Sequence, residues 1–527
     1  MMRGPTRLLV LGIDAASPDL LDGWIADGTL PNLAALAARG LTGRTRGLDG
    51  FFVGSTWPSL YTATNPARHG FHYQRQLIPG TYRIADRVHG AFVEREPFWC
   101  ALHRAGKRVA VLDVPLAAPE RAPLNGVHVV EWGAHDAFFG FSTRPSELGA
   151  RLESNWGRHP AGPTCDVGAR SAREYRQFAV ALEAGVHRKT AWTMDLLRRG
   201  GWDLFMQVFS EAHCVGHQCW HLHDSRHPAY DAAVSAVAGD PMRTVYRAID
   251  RAIGEIVGAA GDAACVVFSA HGMSHRYGAH FLLRDILVSL GAAEPLAPRV
   301  RDRARGAAAA AWRALPPAAR APLSAIRSRL PPNRAPAVRG IGVAAARSRC
   351  FPLANGLAVS GIRLNLEGRE PSGTLRPGDE ADRFVEQLES DLLAIMDDTT
   401  GAPLVARVAR TRDLYHGEHL DTLPDVLVEW SDRTAMGSTV IAGGAGARVV
   451  ARSPRIGTIT GANDYGRSGE HRPGGWFVAV GAGPATGRLQ REPSLLDLAP
   501  TFAALLGVPI PDVDGAPIAE LASLGDA

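Results

Sequence analysis

Cys265-Val266-Val267-Phe268-Ser269-Ala270-His271-Gly272 is the stretch on which the fold turns. An uninterrupted apolar run stops abruptly in a Ser-Ala-His-Gly turn. A run of this kind reads as a strand buried on both faces, as in parallel sheets covered by helices. Leu8–Ile13, Val109–Leu112, Val127–Val130, Leu204–Phe209, Val426–Val428 and Trp476–Val480 repeat it, with helical patterns in between. The alternation predicts an α/β sandwich: a central, mostly parallel sheet with helices on both faces. Ligands in such folds sit beyond the carboxyl ends of the strands, so the residues that follow each run carry the information.

Those residues are Asp14 after the first run, Ser210-Glu211-Ala212-His213-Cys214-Val215-Gly216-His217 after Leu204–Phe209, and His271; Gly469-Glu470-His471 stands just before the last run. On a helix, His213 and His217 share one face a turn apart, the spacing with which paired imidazoles grip one ion. Imidazoles with a carboxylate suit zinc, manganese or iron better than calcium or magnesium. Glu211, His275 and Asp464 are auxiliary candidates near the same edge. His221, His223 and His227 read as surface residues, and Cys214 and Cys219 as core-facing.

The chain has 527 residues, 46% hydrophobic and 21% charged, which is a globular composition with apolar material for a large core. Its net charge of +4 is unevenly spread. Between Arg299 and Arg349 stand 12 Arg, no Lys and one acid, Asp302; elsewhere 45 basic residues face 52 acidic ones. That excludes a uniformly basic nucleic-acid binder and marks the segment as a helical or loosely ordered insertion. Six cysteines without CxxC spacing make no disulfide framework. No apolar stretch has the length of a membrane span, and the expected setting is a reducing cytoplasm.

Several motifs, in order, resemble the alkaline phosphatase superfamily, and within it the type I phosphodiesterase/nucleotide pyrophosphatase family. They are Gly12-Ile13-Asp14-Ala15-Ala16-Ser17-Pro18-Asp19, Thr56-Trp57-Pro58-Ser59-Leu60, Asn65-Pro66-Ala67-Arg68-His69-Gly70, Ser269-Ala270-His271-Gly272, Gly469-Glu470-His471-Arg472 and Asp497-Leu498-Ala499-Pro500-Thr501. The resemblance implies an alkaline-phosphatase-like core over residues 1–290 and 420–527, with an inserted cap over 291–419 that carries the Arg-rich helical segment 299–349. It also implies a metal-dependent hydrolase of phosphate esters with a hydroxyl nucleophile. Thr56 matches that nucleophile, with Ser55 as the alternative. Asp14 and His271 match ligands of one metal site, and His217 and His471 match ligands of the other.

Two positions depart from the family. His213 stands where the family has Asp, and Ala270 stands where it has the Asp of Asp-His-Gly. One site thereby becomes all-imidazole, His213, His217 and His471, and three histidines with an open position suit a hydrolytic zinc. The other keeps Asp14 and His271. With fewer carboxylates to offset two divalent ions, the three-histidine site is expected to fill first. Zinc, as one or two ions, is the expected cofactor, with manganese or iron as alternatives. Arg75, Arg369 and His69 are candidate phosphate contacts, although Arg369-Glu370 also fits an ion pair. The expected partner is a small phosphorylated molecule or nucleotide, without a stable nucleic-acid complex. A phosphonate hydrolase, a phosphoryl transferase and a catalytically weakened binding protein remain as alternatives.

Overall fold

Leu8–Ile13 forms a strand flanked by Leu204–Phe209 on one side and Ala264–Ser269 on the other, both parallel to it. The computed structural model describes residues 7–86, 93–119, 124–133, 137–162, 170–296 and 339–522. The sheet has nine strands, in the order 487–488, 41–45, 475–480, 264–269, 8–13, 204–209, 109–112, 126–130 and 142–144. The five strands from 264–269 to 126–130 are parallel. Side chains alternate between two apolar layers. Leu8 and Val10 join one, with Val208, Val266 and Phe268, and Leu9, Leu11 and Ile13 join the other, with Phe209 and Val267. Both layers are covered, so nearly every position in these strands is apolar; buried Gln207 and the terminal Ser269 are the exceptions.

Two runs behave differently from the sequence expectation. Gly475–Val480 joins the central sheet but runs antiparallel to Ala264–Ser269. Val426–Trp430 leaves it altogether and pairs antiparallel with Val359–Leu364 and Val405–Arg410 in a separate four-stranded sheet. Val426, Leu427 and Val428 are fully buried there, so the apolar run reports burial and not strand direction. Residue 420, the expected return to the core, lies between the Val405–Arg410 and Val426–Trp430 strands of that sheet. The helix Asp379–Leu393 follows its apolar spacing, burying Phe384, Leu388 and Leu392. Residues 297–338, most of the Arg-rich segment, lie outside the described residues; at its edge Arg349 stacks over Phe384 at 4.2 Å.

A two-stranded ladder forms a further sheet of its own. Gly272–His275 pairs antiparallel with Gly469–Arg472, Met273 opposite His471. The helix Glu211–His223 packs against this ladder closely enough that a Cβ on Gly469 would meet the Gly216 carbonyl oxygen at 2.1 Å. Only glycine permits that approach.

One buried polar residue has no evident purpose in the fold. His128, on the Gly126–Val130 strand, is fully buried, and neither ring nitrogen has a hydrogen-bond partner among the described residues. Burial, aided by Arg144, pushes its pKa down to about 4. Unmet buried nitrogens cost about 1–3 kcal/mol each, so His128→Leu should raise stability at pH 7 by on the order of 1–3 kcal/mol. The unfolded chain takes up a proton below pH ~6.5 and the folded ring only near its depressed pKa. Each pH unit in that window therefore costs about 1.4 kcal/mol of stability, and the Leu variant should lose less between pH 7 and 5. Urea unfolding at both pH values tests this; equal or lower stability of the variant at both would contradict it.

Candidate metal centre

The helix Glu211–His223 starts directly after the Leu204–Phe209 strand, and its residues from Glu211 to Leu222 are all buried. His213 and His217 lie one turn apart, with their Nε2 atoms 3.2 Å from each other. His471 arrives on the ladder from the far end of the chain, and its Nε2 lies 3.3 Å from that of His213 and 3.2 Å from that of His217. Among the described residues this is the one cluster of three or more potential metal ligands that converges.

The donor set fits a divalent ion. His217 Nδ1 lies 2.9 Å from the Gly469 carbonyl oxygen, which can only accept. The proton therefore sits on Nδ1, and the Nε2 lone pair faces the other two imidazoles, the usual backing of a metal-bound histidine. Three nitrogens placed tetrahedrally around zinc at ordinary bond lengths would stand about 3.3–3.4 Å apart. The observed triangle, with sides of 3.2–3.3 Å, is nearly of that size.

His271 extends the cluster, its ring centroid 4.6 Å from that of His471. It is buried, burial pushes its pKa down to about 3, and its Nδ1 has no hydrogen-bond partner among the described residues. Asp14 follows the first strand and accepts a 2.7 Å hydrogen bond from Trp57 Nε1. The indole packs near Gly12, where a Cβ would meet it at 3.3 Å.

Thr56 is the first residue of the helix Thr56–Thr62, immediately before that tryptophan, and its hydroxyl donates to the Phe52 carbonyl oxygen at 2.8 Å. Ser55 is turned into a different setting. Its hydroxyl donates to the Phe71 carbonyl oxygen at 2.8 Å and lies 3.2 Å from that of Ser59. His69 Nδ1 accepts from the Phe71 backbone, so its proton is on Nε2, which donates to Ser59 at 2.8 Å. A ring in that tautomer cannot take a serine proton. Fully buried, with its pKa lowered to about 3 mainly by desolvation, His69 braces the turn behind the helix and does not reach for phosphate.

The auxiliary candidates lie elsewhere. Glu211 is fully buried between Lys189, at 3.2 Å, and His159, at 3.1 Å. Burial alone would raise its pKa, but Lys189 and His159 reverse this and hold it low. Lys189 also binds Asp113 at 2.7 Å. His275 Nε2 donates to the Asp432 carbonyl oxygen at 3.0 Å. Asp464 is exposed. Arg75 is half-exposed and lies 3.7 Å from Asp86. Arg369 makes two 2.7 Å bonds to Asp425 and also binds Glu370, a structural ion pair. His221 and His227 are buried and not at the surface; His221 Nδ1 lies 2.9 Å from Oγ of Ser468, just before the Gly469–Arg472 strand. Cys214 and Cys219 are core residues, as expected.

Sequence reasoning missed three neighbours. Arg467 Nη1 donates to His217 Nε2 at 3.2 Å. That contact depends on a loop conformation for which no spacing rule exists. Trp57, the anchor of Asp14, was readable only as a helix-opening aromatic. Lys189 did leave a signal, since it interrupts the apolar row Leu182, Val186, Thr193 and Leu196 on its helix.

A model of the family described as type I phosphodiesterase/nucleotide pyrophosphatase matches residues 8–323. No curated protein matches the chain. Among solved structures, a phosphonoacetate hydrolase from Sinorhizobium meliloti in complex with phosphonoacetate is 16% identical, with 96% of each chain covered and a TM-score of 0.52. Murine ectonucleotide pyrophosphatase/phosphodiesterase 5 is 12% identical, with 97% of each chain covered and a TM-score of 0.46. The first of these likenesses is one of fold.

Proposed function

This chain belongs to the type I phosphodiesterase/nucleotide pyrophosphatase family, whose members are phosphoric ester hydrolases, and on that premise we propose that it is a zinc-dependent hydrolase of small phosphate esters with Thr56 as nucleophile. The observation that carries the reading is the convergence of His213, His217 and His471 at 3.2–3.3 Å. A divalent ion held there would supply Lewis-acid polarisation of a phosphoryl oxygen. Thr56 directly precedes Trp57, whose indole donates to Asp14, and this supports the reading. Its proton is engaged by the Phe52 carbonyl oxygen, which leaves the hydroxyl lone pairs for an electrophile. Attack on phosphorus would form a Thr56 phosphoester and expel the alkoxide, which takes up the hydroxyl proton to leave as the alcohol; water would later release phosphate or, from a diester, the phosphomonoester. His271, kept neutral by burial, and Asp14 would hold a second, weaker ion. No described helix is long and apolar enough to cross a membrane. The five described cysteines are free thiols, which suits the cytoplasmic setting that belongs to this proposal.

A second reading, phosphonate hydrolysis, is favoured by the fold likeness to phosphonoacetate hydrolase. The two are separated by metal-stripped protein reloaded with zinc, manganese or ferrous iron. Each form is assayed on p-nitrophenyl phosphate, bis-p-nitrophenyl phosphate, phenylphosphonate and phosphonoacetate. Zinc-restored turnover of an ester is the expected result. Turnover confined to phosphonates would select the second reading, and none with any metal would leave a binding protein.

A further inference from the structure

Three charged side chains meet in the interior behind the helix that carries His213 and His217. Lys189, Asp113 and Glu211 are all fully buried. Lys189 stands well inside the long helix Ala172–Arg198. Its Nζ lies 2.7 Å from Asp113 Oδ2, 3.2 Å from Glu211 Oε1 and 3.2 Å from the Val208 carbonyl oxygen. An ammonium has three N–H donors, and these are three acceptors for them. Asp113 directly follows the Val109–Leu112 strand, with φ at +57°, a conformation uncommon outside glycine. The Gly133 backbone N–H donates to its carboxylate at 3.0 Å. On the other side, His159 Nε2 lies 3.1 Å from Glu211 Oε1. A Cβ on Gly185 would meet that nitrogen at 2.1 Å, so glycine makes the room for the ring.

The helix Glu211–His223 lacks the usual anchor at its start. Ser210 is its N-cap, yet the hydroxyl caps no backbone N–H and has no hydrogen-bond partner among the described residues. A serine there normally accepts from the second or third helical N–H. Lys189 anchors the start instead. It holds Val208 in the strand and Glu211, the first helical residue, and so staples the turn at Ser210. Successive helical residues turn by about 100°, which puts Glu211 about 200° round the axis from His213. The grip is therefore on the face away from that imidazole. Buried ion pairs contribute little net stability, because desolvation offsets the Coulomb gain. What this one supplies is a fixed start and rotation for the helix. His471 comes from a separate strand, and a ligand set of this kind must be held to within about 0.5 Å.

We propose that Lys189 is a positioning residue for the cation site: by holding Glu211 against Asp113 and the Val208 carbonyl oxygen, it sets the helix Glu211–His223 so that His213 and His217 meet His471. This rests on the metal-site reading above but not on turnover.

The test measures zinc affinity of the full-length protein by competition with a chelator, and the d–d absorption of the cobalt(II)-loaded protein reports ligand geometry. Lys189→Met should weaken zinc by about tenfold or more, the scale on which metal sites lose affinity when the supports of their ligands are removed, and should alter the cobalt spectrum. Loss of a positive charge alone would tighten a cation, so the sign separates positioning from electrostatics. Lys189→Met/Glu211→Gln removes one charge of each sign and should show the same weakening; it decides the matter where the single variant fails to fold. Val186→Ala truncates a fully buried residue three positions earlier on the same helix. It should lower the urea midpoint while keeping zinc affinity within about twofold of wild type. Wild-type zinc affinity in the double variant, tighter zinc in Lys189→Met, or equal weakening in Val186→Ala would overturn the proposal. If wild type binds no zinc, the metal-site reading fails and the proposal with it; zinc binding indifferent to Lys189 removes the proposal alone.

Discussion

His217→Ala is expected to empty the three-histidine site and lower kcat/KM at least about a thousandfold, a loss of roughly 4 kcal/mol in transition-state stabilisation. Its Nε2 lies 3.2 Å from both other imidazole donors, so its loss leaves only two protein ligands. Two imidazoles fall short of the three protein ligands that a catalytic zinc normally has. Mass spectrometric metal analysis after dialysis should find close to one zinc per wild-type chain and almost none in the variant. His223→Ala is the control: that ring lies on the same helix but is 2.9 Å from Asp240 and outside the cluster. Two tightly held ions per wild-type chain would refute the order of filling argued from the missing carboxylates at His213 and Ala270. Full zinc retention in His217→Ala would remove the site itself.

The second large effect belongs to Thr56. Thr56→Ala should leave zinc content unchanged and reduce kcat by about a thousandfold or more, the scale on which removal of an attacking group is felt. Thr56→Ser keeps the hydroxyl and should retain much of the activity. Ser55→Ala provides the contrast. Its hydroxyl is fully buried among Phe71, Ser59 and His69, so its loss should appear as about 1–2 kcal/mol of stability with kcat largely preserved. If Ser55→Ala abolishes turnover and Thr56→Ala does not, the nucleophile has been misassigned.

Much of this architecture is written in local patterns. Leu8–Ile13, Leu204–Phe209 and Ala264–Ser269 are almost wholly apolar, Gln207 and Ser269 apart, because both sheet faces are covered. His213 and His217 were readable because helical periodicity is a property of the backbone. Strand direction is not. Val426–Trp430 reads like the strands of the central sheet yet belongs to a separate antiparallel sheet, because burial selects composition and only tertiary pairing selects orientation. Charge compensation was equally invisible. Glu211 looked like a spare carboxylate beside the metal site, and the residue that removes it from service, Lys189, lies 22 positions away on another helix. Arg467 reaches His217 across 250 positions through a loop.

The ladder that seats His471 against the His213 helix also orders the life of the site in time. Its third donor is separated from the first two by 258 and 254 positions, with the four-stranded sheet made between them. During synthesis the first two imidazoles therefore emerge well before the third. Until then the nascent protein offers a cation just two ligands and a strand, Gly272–His275, whose partner does not yet exist. A cation that needs all three rings would therefore be held only after Gly469–Arg472 has paired with Gly272–His275.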